Sequence, residues 1–125
     1  MLHHVSVGTN DVAKARRFYD AVLGTLSIRL MEVNGETLVY GNSVFELTVA
    51  PPHDGKPATV GNGVHIAFAA EDRGAVDRFH AAALANGGSD AGKPGLRPKY
   101  NGNYYGAFAY DPDGNKIEAV TYSAE

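Results

Sequence analysis

The chain has 125 residues, 44% of them hydrophobic, which suits one compact domain or two very small fused halves. A formal net charge of −3 without a long basic run argues against nucleic acid and against an anionic membrane surface as partners. Because cysteine is absent, disulfides, thiolate nucleophiles and cysteine-ligated metals are excluded, which is typical of a cytoplasmic protein. The apolar stretches are only as long as strands and the N-terminal residues read as a strand, so we expect neither a membrane helix nor a signal peptide.

The first 50 residues predict a strand, a helix and three further strands. Apolar residues recur at helical spacing from Val12 to Leu23, with Asp11 at a capping position before them and Gly24 as a natural stop after them. The pair Asn34-Gly35 favours a two-residue hairpin between two of the strands. The predicted strands cover residues 3–8, 27–33, 37–40 and 44–49.

A linker and a second copy of this pattern follow. Residues 51–63 are rich in proline and glycine, which is typical of a connecting segment. In the second half, a helix is expected from near Asp72 to Ala85, and the tight turn Asp111-Pro112-Asp113-Gly114 precedes the last strand. The predicted extended segments there are residues 65–70, Leu96, 104–110 and 115–122. The chain is therefore interpreted as a single domain with module 1 at about 1–50, the linker at 51–63 and module 2 at about 64–125.

The two modules repeat polar residues as well as hydrophobic ones. When His4 is aligned with His65, the helix-capping aspartates and a helix phenylalanine also coincide. Each module thus starts its first strand with a histidine and carries a glutamate, Glu46 or Glu118, in its last strand. If the modules pair through a pseudo-twofold axis, these four side chains converge. Two imidazoles and two carboxylates are ordinary ligands for Zn²⁺, Ni²⁺, Fe²⁺, Mn²⁺ or Co²⁺ and leave positions open for a substrate.

Strand alternation separates the candidate ligands from structural residues. Glu118 lies between two apolar residues and therefore points away from both, so on a buried face its charge needs a metal or another partner. By the same rule His3 is expected to face away from His4 and to be structural. His53 in the linker and His80 on the helix are expected to be solvated.

Four segments of the chain resemble the vicinal oxygen chelate superfamily, which includes glyoxalase I, extradiol dioxygenases and bleomycin-resistance proteins. They are His4-Val5 leading to Asp11, Phe18-Tyr19 followed by Val22-Leu23-Gly24, Gly63 to Phe68, and Asp111 to Glu118. The resemblance implies an α+β fold in which two repeated βαβββ modules form a cupped mixed β-sheet with helices on the outer face. In the family, metal ligands come from the positions that match His4, Glu46, His65 and Glu118.

The resemblance also implies a reaction. It favours a metal-dependent, glyoxalase-like lyase or isomerase that acts on a small substrate with vicinal oxygens or an enolisable carbonyl, with Glu118 or Glu46 moving the proton. One alternative is an extradiol-type dioxygenase, in which His4, His65 and Glu118 hold Fe²⁺. The other is a small-molecule binding protein without metal, similar to bleomycin-resistance proteins.

Residues 94–105 depart from the glyoxalase I pattern and add cations and tyrosines beside the predicted cup. Arg97, Tyr100 and Tyr105 are the candidate substrate-binding residues, because a guanidinium holds anions well and aromatic rings line small-molecule sites. The resemblance further suggests a homodimer, either side by side or with exchanged modules. Exchange would place His4 and Glu46 of one chain against the second histidine and glutamate of the other.

Overall fold

The structure is a computed structural model that describes all 125 residues, and it contains eight strands and two helices. The elements are β1 (Val5–Gly8), α1 (Val12–Gly24), β2 (Arg29–Asn34), β3 (Thr37–Gly41), β4 (Phe45–Ala50), β5 (His65–Ala69), α2 (Arg73–Ala85), β6 (Ser89–Leu96), β7 (Tyr105–Tyr110) and β8 (Lys116–Thr121). The order is βαβββ repeated, and the predicted α+β fold class is confirmed.

Each module forms its own four-stranded mixed sheet. The strand orders are β1-β4-β3-β2 and β5-β8-β7-β6, so the first and last strands of each module pair in parallel and the others pair antiparallel. The expected cup is thus built from two separate sheets with the same topology. Neither helix combines the length and the apolar character needed to cross a membrane.

Both helices pack on one face of the sheets and begin at a capping aspartate. The side chain of Asp11 accepts from the backbone N–H of Lys14 at 3.0 Å, and that of Asp72 accepts from Ala75 at 2.8 Å. The apolar faces of α1 and α2 contact each other and the inward side chains of the strands. One continuous core therefore lies between the helices and the sheets, and the opposite face of each sheet is left uncovered.

The turn before β8 joins the two modules. Asp111 is 4% exposed and accepts a hydrogen bond at 2.6 Å from the hydroxyl of Tyr19 on helix α1. Asn115 donates from Nδ2 to the carbonyl of Gly8 at the end of β1, at 3.1 Å. The turn that the sequence predicted therefore also fixes the position of β8 relative to the first module.

Strand β6 is where the sequence prediction was least complete, because only Leu96 was expected to be extended. Its sequence, SDAGKPGL, has no apolar alternation, and its pairing with β7 is interrupted by register shifts around Gly92. Backbone hydrogen bonds to β7 and packing against α2 hold this edge strand in place. Neither kind of contact leaves a hydrophobic pattern in the sequence.

Candidate functional site

Glu118 lies at the centre of the candidate site, on the face of the second sheet that points away from α2. We call this the open face. Its neighbours Ile117 and Ala119 are fully buried in the core, so alternation turns the carboxylate to the opposite side. The residue is nevertheless only 1% exposed. A buried charge of this kind is tolerated only where partners satisfy it.

Two side chains satisfy the carboxylate, one on each oxygen. His65 at the start of β5 places Nε2 3.0 Å from Oε1 of Glu118, and the hydroxyl of Tyr104 donates a short hydrogen bond to Oε2. The carboxylate is thereby fixed, while the His65 side chain stays 41% exposed. Solvent or a small molecule can therefore reach the imidazole.

The pKa of Tyr104 is raised above its usual value of 10.0, mainly because the phenol is partly buried and secondly because it donates a hydrogen bond to Glu118. The phenol is neutral at physiological pH and acts as a donor to the carboxylate.

A pocket of about 330 Å³ opens over this group. Its lining consists of aromatic rings around the two polar residues: His65, Tyr100, Tyr104, Phe108 and Glu118. Such a combination of an apolar wall and a few convergent polar groups is typical of small-molecule sites. The volume accommodates an organic molecule of modest size.

A glycine keeps the floor of the pocket clear. Gly106 lies on β7 between Tyr104 and Phe108, and a Cβ at this position would lie 3.0 Å from Oε2 of Glu118 and 3.2 Å from the Tyr104 ring. Real Cβ contacts are rarely so close. The absence of a side chain here is what lets the phenol approach the carboxylate.

The candidate substrate residues divide between the two faces of the sheet. Tyr100 lies in the pocket, whereas Tyr105 points toward α2 and donates to Asp77 at 2.7 Å. The candidate Tyr105 therefore lies on the helix side of the sheet, and its neighbour Tyr104 lies on the open face. Phe108 pairs with Glu118 across β7 and β8, so residues at even spacing from Phe108 share its face. Strand alternation places one of the two adjacent tyrosines on each face, but which one faces the pocket depends on this register.

Only half of the predicted metal-ligand set meets within one chain. No third histidine, cysteine, aspartate or glutamate joins His65 and Glu118 in a group able to hold a metal ion. His4 and Glu46 lie at the corresponding end of the other sheet, beside the paired residues Val5 and Leu47. The structure thus places the four predicted ligands as two pairs in two modules.

His3 does not take the position that alternation predicted. The strand begins only at Val5, so the two preceding histidines are not constrained to opposite faces. Their Nδ1 atoms lie 2.9 Å apart, and both rings contact Phe45, with centroid distances of 4.7 Å for His3 and 4.5 Å for His4.

Strand register also shows that Glu46 is not the counterpart of Glu118. Glu118 pairs with Ala67, and the matching residue of the first module, Ser6, pairs with Thr48. Glu46 lies two residues earlier and is exposed. The similar local sequences align the two glutamates, but the pairing of β1 with β4 places Thr48, not Glu46, at the position of Glu118.

The prediction that His80 is solvated is wrong. It is 6% exposed on the inner side of α2, and its Nε2 lies 2.8 Å from Oδ1 of Asp90 on β6. The hydrogen bond from His80 is the main reason that the pKa of Asp90 is lowered from its usual 3.8. His53 is exposed in the linker, as expected.

Comparison with known proteins agrees with this fold over almost the whole chain. The family model described as Glyoxalase/Bleomycin resistance protein/Dioxygenase superfamily matches residues 1–119. A glyoxalase/bleomycin resistance protein from Albidiferax ferrireducens is 43% identical, with a TM-score of 0.88 over 96% of this chain and 97% of that chain. Among curated proteins, none matches the chain.

More distant crystal structures share the fold. A glyoxalase-related enzyme from Fulvimarina pelagi is 20% identical, with a TM-score of 0.75 over 96% of this chain and 86% of that chain. Lactoylglutathione lyase from Agrobacterium tumefaciens is 21% identical, with a TM-score of 0.66 over 96% of this chain and 92% of that chain. The model match and the 43% identical relative together establish that the chain belongs to the glyoxalase/bleomycin resistance protein/dioxygenase superfamily.

Proposed function

We propose that the chain is a lyase or isomerase that moves a proton between neighbouring carbons of a small hydroxy-carbonyl compound. The observation that supports this proposal is the buried carboxylate of Glu118, held by His65 and Tyr104 at the bottom of an open pocket. A fixed carboxylate beside a bound carbonyl compound is suited to act as a general base.

In this proposal the residues have separate roles. Glu118 takes the proton from the hydroxyl-bearing carbon next to the carbonyl group and returns it to the carbonyl carbon, while the hydroxyl proton passes to the former carbonyl oxygen. The reaction therefore needs no external oxidant or reductant. Tyr104 is a positioning residue, because its hydroxyl holds one oxygen of the carboxylate. His65 positions the other oxygen and offers its exposed imidazole edge to the substrate.

The donor chemistry suits a divalent metal, but one chain supplies only two donors in one place. We propose that His65 and Glu118 hold the ion together with His4 and Glu46 of a second copy. This arrangement is the module-exchanged form of the homodimer, one of the two forms that the family resemblance suggests. A bound divalent ion would polarise the substrate carbonyl and so make the neighbouring C–H more acidic. Imidazole and carboxylate donors suit several ions of the first transition row.

Proton exchange with solvent tests the reaction directly. Protein purified without chelator and loaded with Zn²⁺ or Ni²⁺ is incubated in D₂O with hydroxyacetone, or with methylglyoxal in the presence and absence of glutathione, and C–H loss is followed by ¹H NMR. We expect exchange catalysed by the native chain and a decrease of about 100-fold or more in Glu118→Gln. Glu32→Gln, an exposed carboxylate on β2, is the matched control and should exchange like the native chain. Unchanged exchange in Glu118→Gln would reject the proposal.

The aromatic wall of the pocket supports a second candidate, which is retention of an aromatic ligand without metal or turnover. Tyr100 and Tyr104 lie with their ring centroids 5.0 Å apart, and such rings bind flat molecules by stacking. Recovery of an intact ligand from a tight complex in metal-free protein would favour this reading, whereas metal-dependent exchange would favour catalysis.

A further inference from the structure

Two cations share one aromatic ring at the edge of the pocket. The guanidinium carbon of Arg97 lies 5.8 Å from the centroid of Phe108, and Nζ of Lys116 lies 4.9 Å from the same centroid. Neither cation has a carboxylate of its own chain within ion-pair distance. Both charges are therefore available to a ligand.

The guanidinium is held in place before any ligand arrives. One Nη of Arg97 donates to the carbonyl of Lys93 at 2.8 Å, and its backbone N–H donates to the carbonyl of Tyr104 at 2.7 Å. Because a guanidinium carries five N–H donors, most of the donors of Arg97 have no partner within the chain.

The irregular strand β6 provides the space for this side chain. A Cβ on Gly95 would lie 3.2 Å from one Nη of Arg97, and a Cβ on Gly92 would lie 3.4 Å from the other. Gly92 also pairs with Phe108 across β6 and β7. The glycines of β6 thus allow the guanidinium to lie close to the sheet, near the aromatic ring.

The cations stand next to the proposed base. Phe108 and Glu118 are directly paired residues of β7 and β8, and the ring of Phe108 lies 5.5 Å from that of His65. A ligand whose anionic end lies beside the edge of Phe108 would therefore present its next atoms to the buried carboxylate and the imidazole.

We infer that the substrate class of this site is a small organic acid. Its carboxylate would bind at the edge of the Phe108 ring, beside Arg97 and Lys116, and its carbonyl carbon would face Glu118. The face of a phenyl ring is electron-rich and attracts the two cations, so an anion is accommodated at the ring edge, where the planar guanidinium fork can hold both oxygens of a carboxylate. The inference rests on the proposed function for the position of the reacting carbon.

Binding of matched probes tests the inference without turnover. Benzoylformate is a 2-oxo acid, benzoylformamide is its neutral isostere, and phenyl phosphate is a tetrahedral anion of similar size that has no carbonyl group. Dissociation constants are measured by ¹⁵N-HSQC titration at fixed ionic strength. We expect benzoylformate to bind at least about tenfold more tightly than benzoylformamide, since a charge-assisted contact is worth at least this factor, and at least as tightly as phenyl phosphate, which has no carbonyl group to face Glu118.

Four variants separate the two cations from general charge effects. Arg97→Gln and Lys116→Gln should each weaken benzoylformate by about tenfold and leave benzoylformamide unchanged. Arg97→Lys, which keeps the charge but loses the planar fork, should give an intermediate loss. Lys14→Gln removes an exposed charge on helix α1 and should bind all three probes like the native chain.

Several results would overturn the inference. They are equal affinity for the acid and the amide, native affinity for benzoylformate in both glutamine variants, tighter binding of phenyl phosphate, and no binding of benzoylformate at about 10 mM. Failure of the proposed reaction gives a different pattern, in which exchange is absent but the probes still discriminate by charge. Glu118→Gln should retain that discrimination, because the carboxylate is not part of the anion site.

Discussion

The hydroxyl of Tyr104 makes a contribution to stability whose pH dependence can be stated in advance. Burial and the hydrogen bond to Glu118 raise its pKa above 10.0. Since the folded pKa lies above the unfolded one, the contribution is complete below about pH 10 and is lost as pH rises through the folded value. We expect Tyr104→Phe to lower the free energy of unfolding by about 1–2 kcal/mol near pH 7 and by less near pH 11, measured by urea denaturation.

The control is Tyr100→Phe, which removes a hydroxyl from the same pocket. Tyr100 forms no side-chain hydrogen bond and is 57% exposed, so this change should leave the unfolding free energy within about 0.5 kcal/mol of native. A loss in Tyr104→Phe that is the same at both pH values would contradict the assignment.

The sequence identified some of these residues and could not identify others. The internal repeat, strand alternation and the family resemblance single out His65 and Glu118, and the structure places these two side chains in contact. The choice between Tyr104 and Tyr105 depended on the register of β7 against β8, which no local pattern reveals. His80 was misjudged because its partner Asp90 lies on a strand that the sequence did not predict.

At the scale of the elements, strand β7 packs so closely against the Glu118 and Tyr104 side chains at Gly106 that a single added methyl group would crowd them. We expect Gly106→Ala to push Tyr104 away from Glu118 and to lower the free energy of unfolding by about 1–3 kcal/mol, the usual cost of overpacking. The matched control is Gly102→Ala, because a Cβ there meets nothing within 4 Å. Thermal and urea denaturation measure both, and equal effects of the two changes would show that Gly106 is not crowded.

The hydrogen bond between His80 on α2 and Asp90 on β6 gives the fold an acid-sensitive contact. Because the hydrogen bond from His80 lowers the pKa of Asp90, the carboxylate contributes stability above its unfolded value of 3.8, and this is lost as pH falls through the folded value. We expect Asp90→Asn to flatten the acid limb of the stability profile, measured by urea denaturation between about pH 2 and pH 6. Glu36→Gln, an exposed hairpin residue, should leave that limb unchanged.

The elements themselves were predicted unevenly, and the reason is the kind of signal each one carries. Helices α1 and α2 were placed nearly to the residue, because capping aspartates and helical spacing mark their bounds. Strand β6 carries two glycines and a proline in place of alternation, so its pairing with β7 is visible only in the fold. The same glycines later proved to be what makes room for Arg97.

At the scale of the molecule, the two pairs of candidate ligands lie in separate modules. The proposed dimer therefore predicts how much metal is bound when two different variants of the chain are mixed. In an exchanged dimer, a chain with His4→Ala and a chain with His65→Ala form one complete site between them, although neither homodimer has any. Random pairing should therefore restore about one quarter of the native Zn²⁺ content, measured by elemental analysis after unfolding, mixing, refolding and desalting. Each variant refolded alone is the control, and no recovery in the mixture would argue against exchange.

The sequence predicted the repeat and its four ligands but not how the modules sit. The pairing of Asn115 with Gly8 and of Asp111 with Tyr19 spans nearly the whole chain, and such contacts leave no periodic signal. The register of the first sheet also decided against Glu46 as the counterpart of Glu118, although their flanking residues match.

The hydrogen-bonded hydroxyls of Ser6 and Thr48 occupy the place in the first sheet that Ala67 and Glu118 take in the second. The two halves are therefore chemically unequal at this position, since the second sheet carries a buried acid on its open face and the first carries a neutral pair of hydroxyls. Thr48→Glu would place a carboxylate in the first sheet at the position that mirrors Glu118, and so make the two halves of the chain alike there.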